Sequence, residues 1–166
     1  MTVPPAPAPG DRAARLLAAA GRIRAHVADW PPGVLTTPDA DTGERWDAGQ
    51  LLAHVAEMLP YWTQEAELVA ASGGGVAFGR VKTDPDRVAA IERDRREHLS
   101  LLLGRIDEGV AEVLQLVDGL DGEALAREGT HQTLGRMTVA GIVDRFLVDH
   151  LEEHAEQIEG VVPPVP

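Results

Sequence analysis

His150 and His154 stand four residues apart. On a helix, residues at i and i+4 share a face, so both imidazoles can reach one metal ion. They continue an apolar stripe of Val143, Phe146 or Leu147, followed by Ile158, so the pair should face a protein interior. His54 has the same setting, between Leu51 and Met58. A lone histidine on an apolar face is more often a hydrogen-bonded core residue than a ligand. Three inward imidazoles at one level can instead hold a divalent ion with coordination positions left open. Unpaired imidazole is costly to bury, and its neutral form is the one that binds metal.

The levels can be compared. His54 lies seven residues after Asp47, about 10 Å along its helix. His150 and His154 lie ten and six residues before Gly160, about 15 and 9 Å from that end. If the two helices are antiparallel neighbours, all three rings meet. The other histidines are weaker candidates. His98 sits on an apolar stripe and is open as a fourth ligand or catalytic group, with core packing the plainer role. His26 can line a mouth or lie on the surface, and His131, between Gly129 and Gly135, reads as a loop residue. Glu57, one turn after His54, is a weak catalytic candidate that can orient a ligand ring or move a proton. Asp149, Glu152, Glu153 and Glu156 surround the pair; Asp149 and Glu153 are the candidates to support the ligands, the rest a solvated face. Trp46 and Tyr61 are weak candidates to touch substrate, and Trp30 and Trp62 can help shape the same pocket.

Two lookalike motifs fail. His150-Leu151-Glu152-Glu153-His154 fits the H-x-x-E-H pattern of inverted zinc proteases, but only three positions are fixed and Glu153 would also have to face the metal. A ferritin-like di-iron site needs Glu-x-x-His twice. The Glu128 to His131 instance falls in a Gly-containing segment read as loop.

Four helices must position these residues. The first runs from about Asp11 to Asp29, before Pro31-Pro32-Gly33. The second begins after Asp47, with Gln50 as capping-box partner, and carries Pro60 inside it. A mid-helix proline costs about 3 kcal/mol, so a kink, or else a break, is expected there. Ser72-Gly73-Gly74-Gly75 opens a flexible loop. The third helix starts at Asp84-Pro85 and runs past Val117, open to bending at Gly104 and Gly109. The fourth spans Thr138 to Gly160. No segment alternates with period two for long enough to predict a strand. The fold class is therefore all-α, a four-helix bundle over residues 11–160, with loose Pro-rich ends at 1–10 and 161–166.

The chain has 166 residues and a net charge of −12. That sign disfavours nucleic acid and anionic membrane surfaces as partners. With no cysteine, disulfides, thiolate metal sites and a cysteine nucleophile are excluded. There is no apolar run of about 20 residues and no signal-peptide pattern, so a cytoplasmic location is expected.

Trp46 ahead of the helix bearing His54, with Asp149-His150-x-x-Glu153-His154-x-x-Gln157-Ile158 much later, resembles the DinB-like superfamily. The resemblance covers residues 11–160. It implies up-down-down-up connections and zinc or nickel on His54, His150 and His154. It also implies a homodimer, and a glycine-rich loop that crosses the length of the bundle. Relatives include thiol-dependent S-transferases and mycothiol-dependent maleylpyruvate isomerases. A thiol on a cation becomes a nucleophile near neutral pH. The function so implied is an S-transferase joining a mycothiol- or bacillithiol-type low-molecular-weight thiol to a small-molecule electrophile. A hydrolase using water on the metal is the alternative, followed by a non-catalytic dimeric metal-binding stress protein. Some relatives use a carboxylate ligand where this chain has histidine. The isomerases carry a further C-terminal domain, so isomerase activity itself is not expected.

Overall fold

The computed structural model describes residues 9–162. Helix α1 (Pro9–Val27) buries Leu16, Ala19, Ile23 and Val27 along one stripe. Helix α2 (Ala48–Ala71) opens with the predicted capping box. Asp47 accepts from the Gln50 backbone N–H at 2.8 Å, and the Gln50 side chain accepts from the Asp47 N–H at 3.0 Å. The helix does not break at Pro60. The expected loose ends fall mainly on residues 1–8 and 163–166, outside the described residues; Pro9 and Gly10 already begin α1, and helix persists to Val161.

The four-helix class holds, but the connection after α2 corrects the expectation of no strand. A three-stranded sheet is present, ordered β1 (Val76–Phe78), β2 (Glu128–His131), β3 (Gly135–Thr138), with β1 parallel and β3 antiparallel to β2. His131 is thus a strand residue and buried. Strands of three or four residues are too short to show alternation.

The predicted third helix is two. Helix α3 (Pro85–Asp94) keeps its Asp84 cap, and α4 (Leu99–Gly119) starts afresh after His98. The break falls where the chain packs against α2. The Arg95 carbonyl lies against Gly49 so closely that a side chain there would collide with it. Helix α5 (Gly122–Ala126) is a single turn. The last rod is made of α6 (Val139–Ile142), a π-helical stretch (Val143–Asp149) and α7 (His150–Val161), with helical backbone at both junctions.

Contacts along the rods give their directions. Arg12, Arg15 and Arg22 of α1 meet Asp144, Glu152 and Glu159 in ascending order, so α1 and the last rod run the same way. Gly49 meets Arg95 and Leu59 meets Gly109, so α2 and α4 also run together. His54 meets His150 while Trp62 meets Phe146, so α2 runs against the last rod. The result is a four-helix bundle connected up-down-down-up. Parallel neighbours cannot be joined by a short turn. The segment carrying β1 and α3 makes that crossing, and it walls the site described next.

Candidate metal centre

Antiparallel packing of α2 on the last rod brings His54, His150 and His154 together. One ring nitrogen from each lies within 4.8 Å of the others, so the three could hold a metal ion. The Nε2 atoms of His54 and His150 are 3.4 Å apart. Two ligands on one tetrahedral zinc, at bond lengths of 2.0–2.1 Å, stand about 3.3–3.4 Å apart. The donor spacing therefore suits a small divalent ion.

Their hydrogen bonding suits it too. Nδ1 of His154 donates to the Gln157 amide oxygen at 2.6 Å. That bond fixes the proton on Nδ1 and leaves Nε2 with its lone pair, buried and without a hydrogen-bond partner. His54 Nδ1 is likewise buried and unpartnered. The nearby Glu57 carboxylate is 4.0 Å away, too far to bond, and is held instead by Arg80 at 2.5 Å. Burial, reinforced by repulsion from the other two imidazoles, holds His54 well below its ordinary pKa. His150 is held well below by burial and then by the charge of His154. For His154 burial outweighs the Gln157 bond and lowers the pKa to about 4. All three are neutral at physiological pH, ready to donate lone pairs.

A cleft of about 740 Å³ opens over the cluster. One wall is the segment between α1 and α2. It is pinned by the Thr36 N–H on the Trp46 carbonyl and by the Trp46 N–H on the Thr36 hydroxyl, both at 2.9 Å. That pinning sets the Trp46 ring 4.9 Å from His54 and 6.2 Å from His154. A second wall, bonded to the first, comes from the crossing segment, with Arg80, Lys82 and Arg87. Trp62 and Phe146, stacked at 3.9 Å, floor the cleft, and His131 stacks on them outside it. Its Nδ1 accepts from the Thr133 and Leu134 N–H groups.

The remaining candidates separate. Trp46, Trp62 and Glu153 line the cleft. Burial, with Asp149 and Glu156 nearby, raises the Glu153 pKa. Asp149 turns instead toward Arg15, at 2.8 Å, and Glu152 pairs with the same guanidinium. Tyr61 lies under Arg80, and Trp30 bonds the Val34 carbonyl; neither reaches the cleft. His98 is exposed at the start of α4, where its side chain makes no capping bond, and His26 sits 3.8 Å from Glu159, so neither contributes. Arg80, Lys82 and Arg87 left no trace in the sequence, because only the crossing of the connection brings them here. Gln157 could have been found: it follows His154 by three residues and shares its face.

The fold and the cluster define a four-helix bundle with a three-histidine site between antiparallel helices. Residues 13–158 match the family model of the DinB superfamily, and the chain belongs to that superfamily. It is also similar to the solved structure of YfiT from Bacillus subtilis, described as "a probable metal-dependent hydrolase with an unusual four-helix bundle topology". The TM-score is 0.75 at 17% identity, over 96% of this chain and 91% of that one. No curated protein matches this chain. Among the described residues, no helix is long and apolar enough to cross a membrane.

Proposed function

We propose that this protein is a divalent-metal-dependent hydrolase acting on a small molecule. One observation carries the reading: three neutral imidazoles converge within 4.8 Å beside an open cleft, and the Nε2 of His154 is buried there without a partner. Burying such a nitrogen without a partner costs roughly 1–3 kcal/mol. A bound ion removes that cost.

His54, His150 and His154 would hold the ion. Zinc or a similar ion acidifies water and polarises an electrophile. The rest is done by the chain. Gln157 keeps the His154 lone pair pointed inward. Trp46 and the Trp62–Phe146 stack give an apolar bed for the substrate body and displace water from it. Glu153, at the rim, is the carboxylate placed to take up a proton. The description of YfiT as a probable metal-dependent hydrolase supports this reading over thiol transfer, and no feature of the cleft selects a thiol.

The test is elemental analysis of untagged protein followed by hydrolysis assays on small esters, amides and lactones. A single divalent ion per chain, lost in His154→Ala together with hydrolysis, is the expected result. Full metal retention in His154→Ala would overturn the assignment. Consumption of a low-molecular-weight thiol with an electrophile, without hydrolysis, would replace the reading by S-transfer.

A further inference from the structure

Three cations reach the cleft, and two are hydrogen-bonded to carboxylates. Arg80 bonds the Glu57 carboxylate through both terminal nitrogens. Lys82 bonds Asp39 at 2.9 Å and Asp41 at 2.7 Å. Arg87 differs. It is only 6% exposed, yet no carboxylate among the described residues lies within hydrogen-bond distance of it; Glu44 is 3.7 Å away. One of its five N–H donors goes to the Lys82 carbonyl, at 2.5 Å. Its guanidinium lies 5.5 Å from the Trp46 ring, the same ring that flanks His54 and His154.

A buried guanidinium normally hydrogen-bonds its counter-charge, because desolvating the cation is expensive, and Arg87 has only the longer ion pair with Glu44. Here a fork of donors lines the cleft beside the imidazoles. The fork matches the two oxygens of a carboxylate or phosphate. We propose that the substrate is a small anion whose carboxylate or phosphate group is held by Arg87, with its reacting centre directed past Trp46 to the histidine cluster. The second half of this statement rests on the hydrolase reading; the anion subsite does not. The chain's net charge of −12 repels anions at a distance. Discrimination must therefore be local, and Arg87 is the group that supplies it.

The test uses metal-free, ¹⁵N-labelled full-length protein. Glutarate, inorganic phosphate and neutral glutaramide are titrated at constant ionic strength while the Arg87 Nε–H and Trp46 indole resonances are followed. Saturable shifts with glutarate or phosphate, but not with glutaramide, are expected, and the tighter of the two anions names the group. Arg87→Gln should weaken that binding at least about 10-fold. Glu44→Gln, which removes the competing carboxylate, should tighten it about 3-fold or more. No saturable shift in the wild type, or equal response to glutaramide, would overturn the proposal even if Arg87→Gln failed to fold. Metal uptake without anion binding would leave the hydrolase reading standing and remove the subsite. Anion binding in a protein that takes up no metal would do the reverse.

Discussion

Acid should unfold the metal-free protein through its imidazoles. In the folded chain His154 has its pKa near 4, against an ordinary value of 6.5. The folded value is the lower one, so the unfolded chain takes up the proton first as pH falls. Stability is intact above about pH 6.5 and declines until pH 4, where both states are protonated and the loss stops growing. At 1.36 kcal/mol per unit, the whole loss from His154 is about 3 kcal/mol, of which about 2 has accrued by pH 5. His54 and His150, lowered by the same burial, add to it. Ordinary carboxylates titrate near 4, so the interval from 6.5 to 5 belongs mainly to histidine. Total stabilities run to about 5–15 kcal/mol, so these losses are a large share. The assay is urea unfolding at pH 7.5 and pH 5.0, at fixed ionic strength, for wild type and His154→Asn. The variant should lose about 2 kcal/mol less than wild type between the two pH values. Equal losses in both proteins would refute the assignment of a buried neutral imidazole at 154.

Three further outcomes test the surrounding structure. Gln157→Leu should leave the fold intact and weaken zinc binding about 10–100-fold in competition with a chromophoric chelator, because His154 loses the partner that fixes its tautomer. Asp144→Ala should cost about 3–5 kcal/mol in urea unfolding, since it strands Arg12, only 2% exposed; Arg12→Met with Asp144→Leu should recover most of it. Gly49→Ala should destabilise by about 1–3 kcal/mol by pushing on the Arg95 carbonyl, while Gly21→Ala, with open space around it, should stabilise by about 0.5–1 kcal/mol.

What was legible in the sequence was local or periodic. The Asp47–Gln50 capping box, the Asp84-Pro85 start and the inward face of His54 and His154 follow from neighbours within one helical turn. What was not legible depends on contacts far apart in the chain. The interruption after Asp94 falls where Arg95 packs against Gly49 of α2, a contact distant in sequence. The parallel β1–β2 ladder forms only when residues 76–78 meet residues 128–131, and the β2–β3 hairpin, though local, is too short to show alternation. The rim of Arg80, Lys82 and Arg87 exists because parallel neighbours demand a long crossing, and nothing in their spacing announces it. The even stripe read from Val143 to Ile158 also hid the π-helical stretch, whose wider turn departs from the α-helical period.

That stretch has a consequence for how the chain tolerates insertions and deletions. A π turn is the geometry of an α-helix that has absorbed an extra residue. Each residue of an α-helix turns the rod by about 100°. Removing one residue between Val143 and Asp149 would give a more regular rod, and by ordinary helix energetics a better one. Wound as α-helix without that deletion, the same residues would put the two halves of the rod about 100° out of step. Keeping Asp144 on Arg12 would swing His150 and His154 away from His54, and keeping the histidines in place would pull Asp144 off its buried partner. The irregular helix is the form in which both ends of the rod are right at once at this length, so losing one residue inside the π stretch should spare the site.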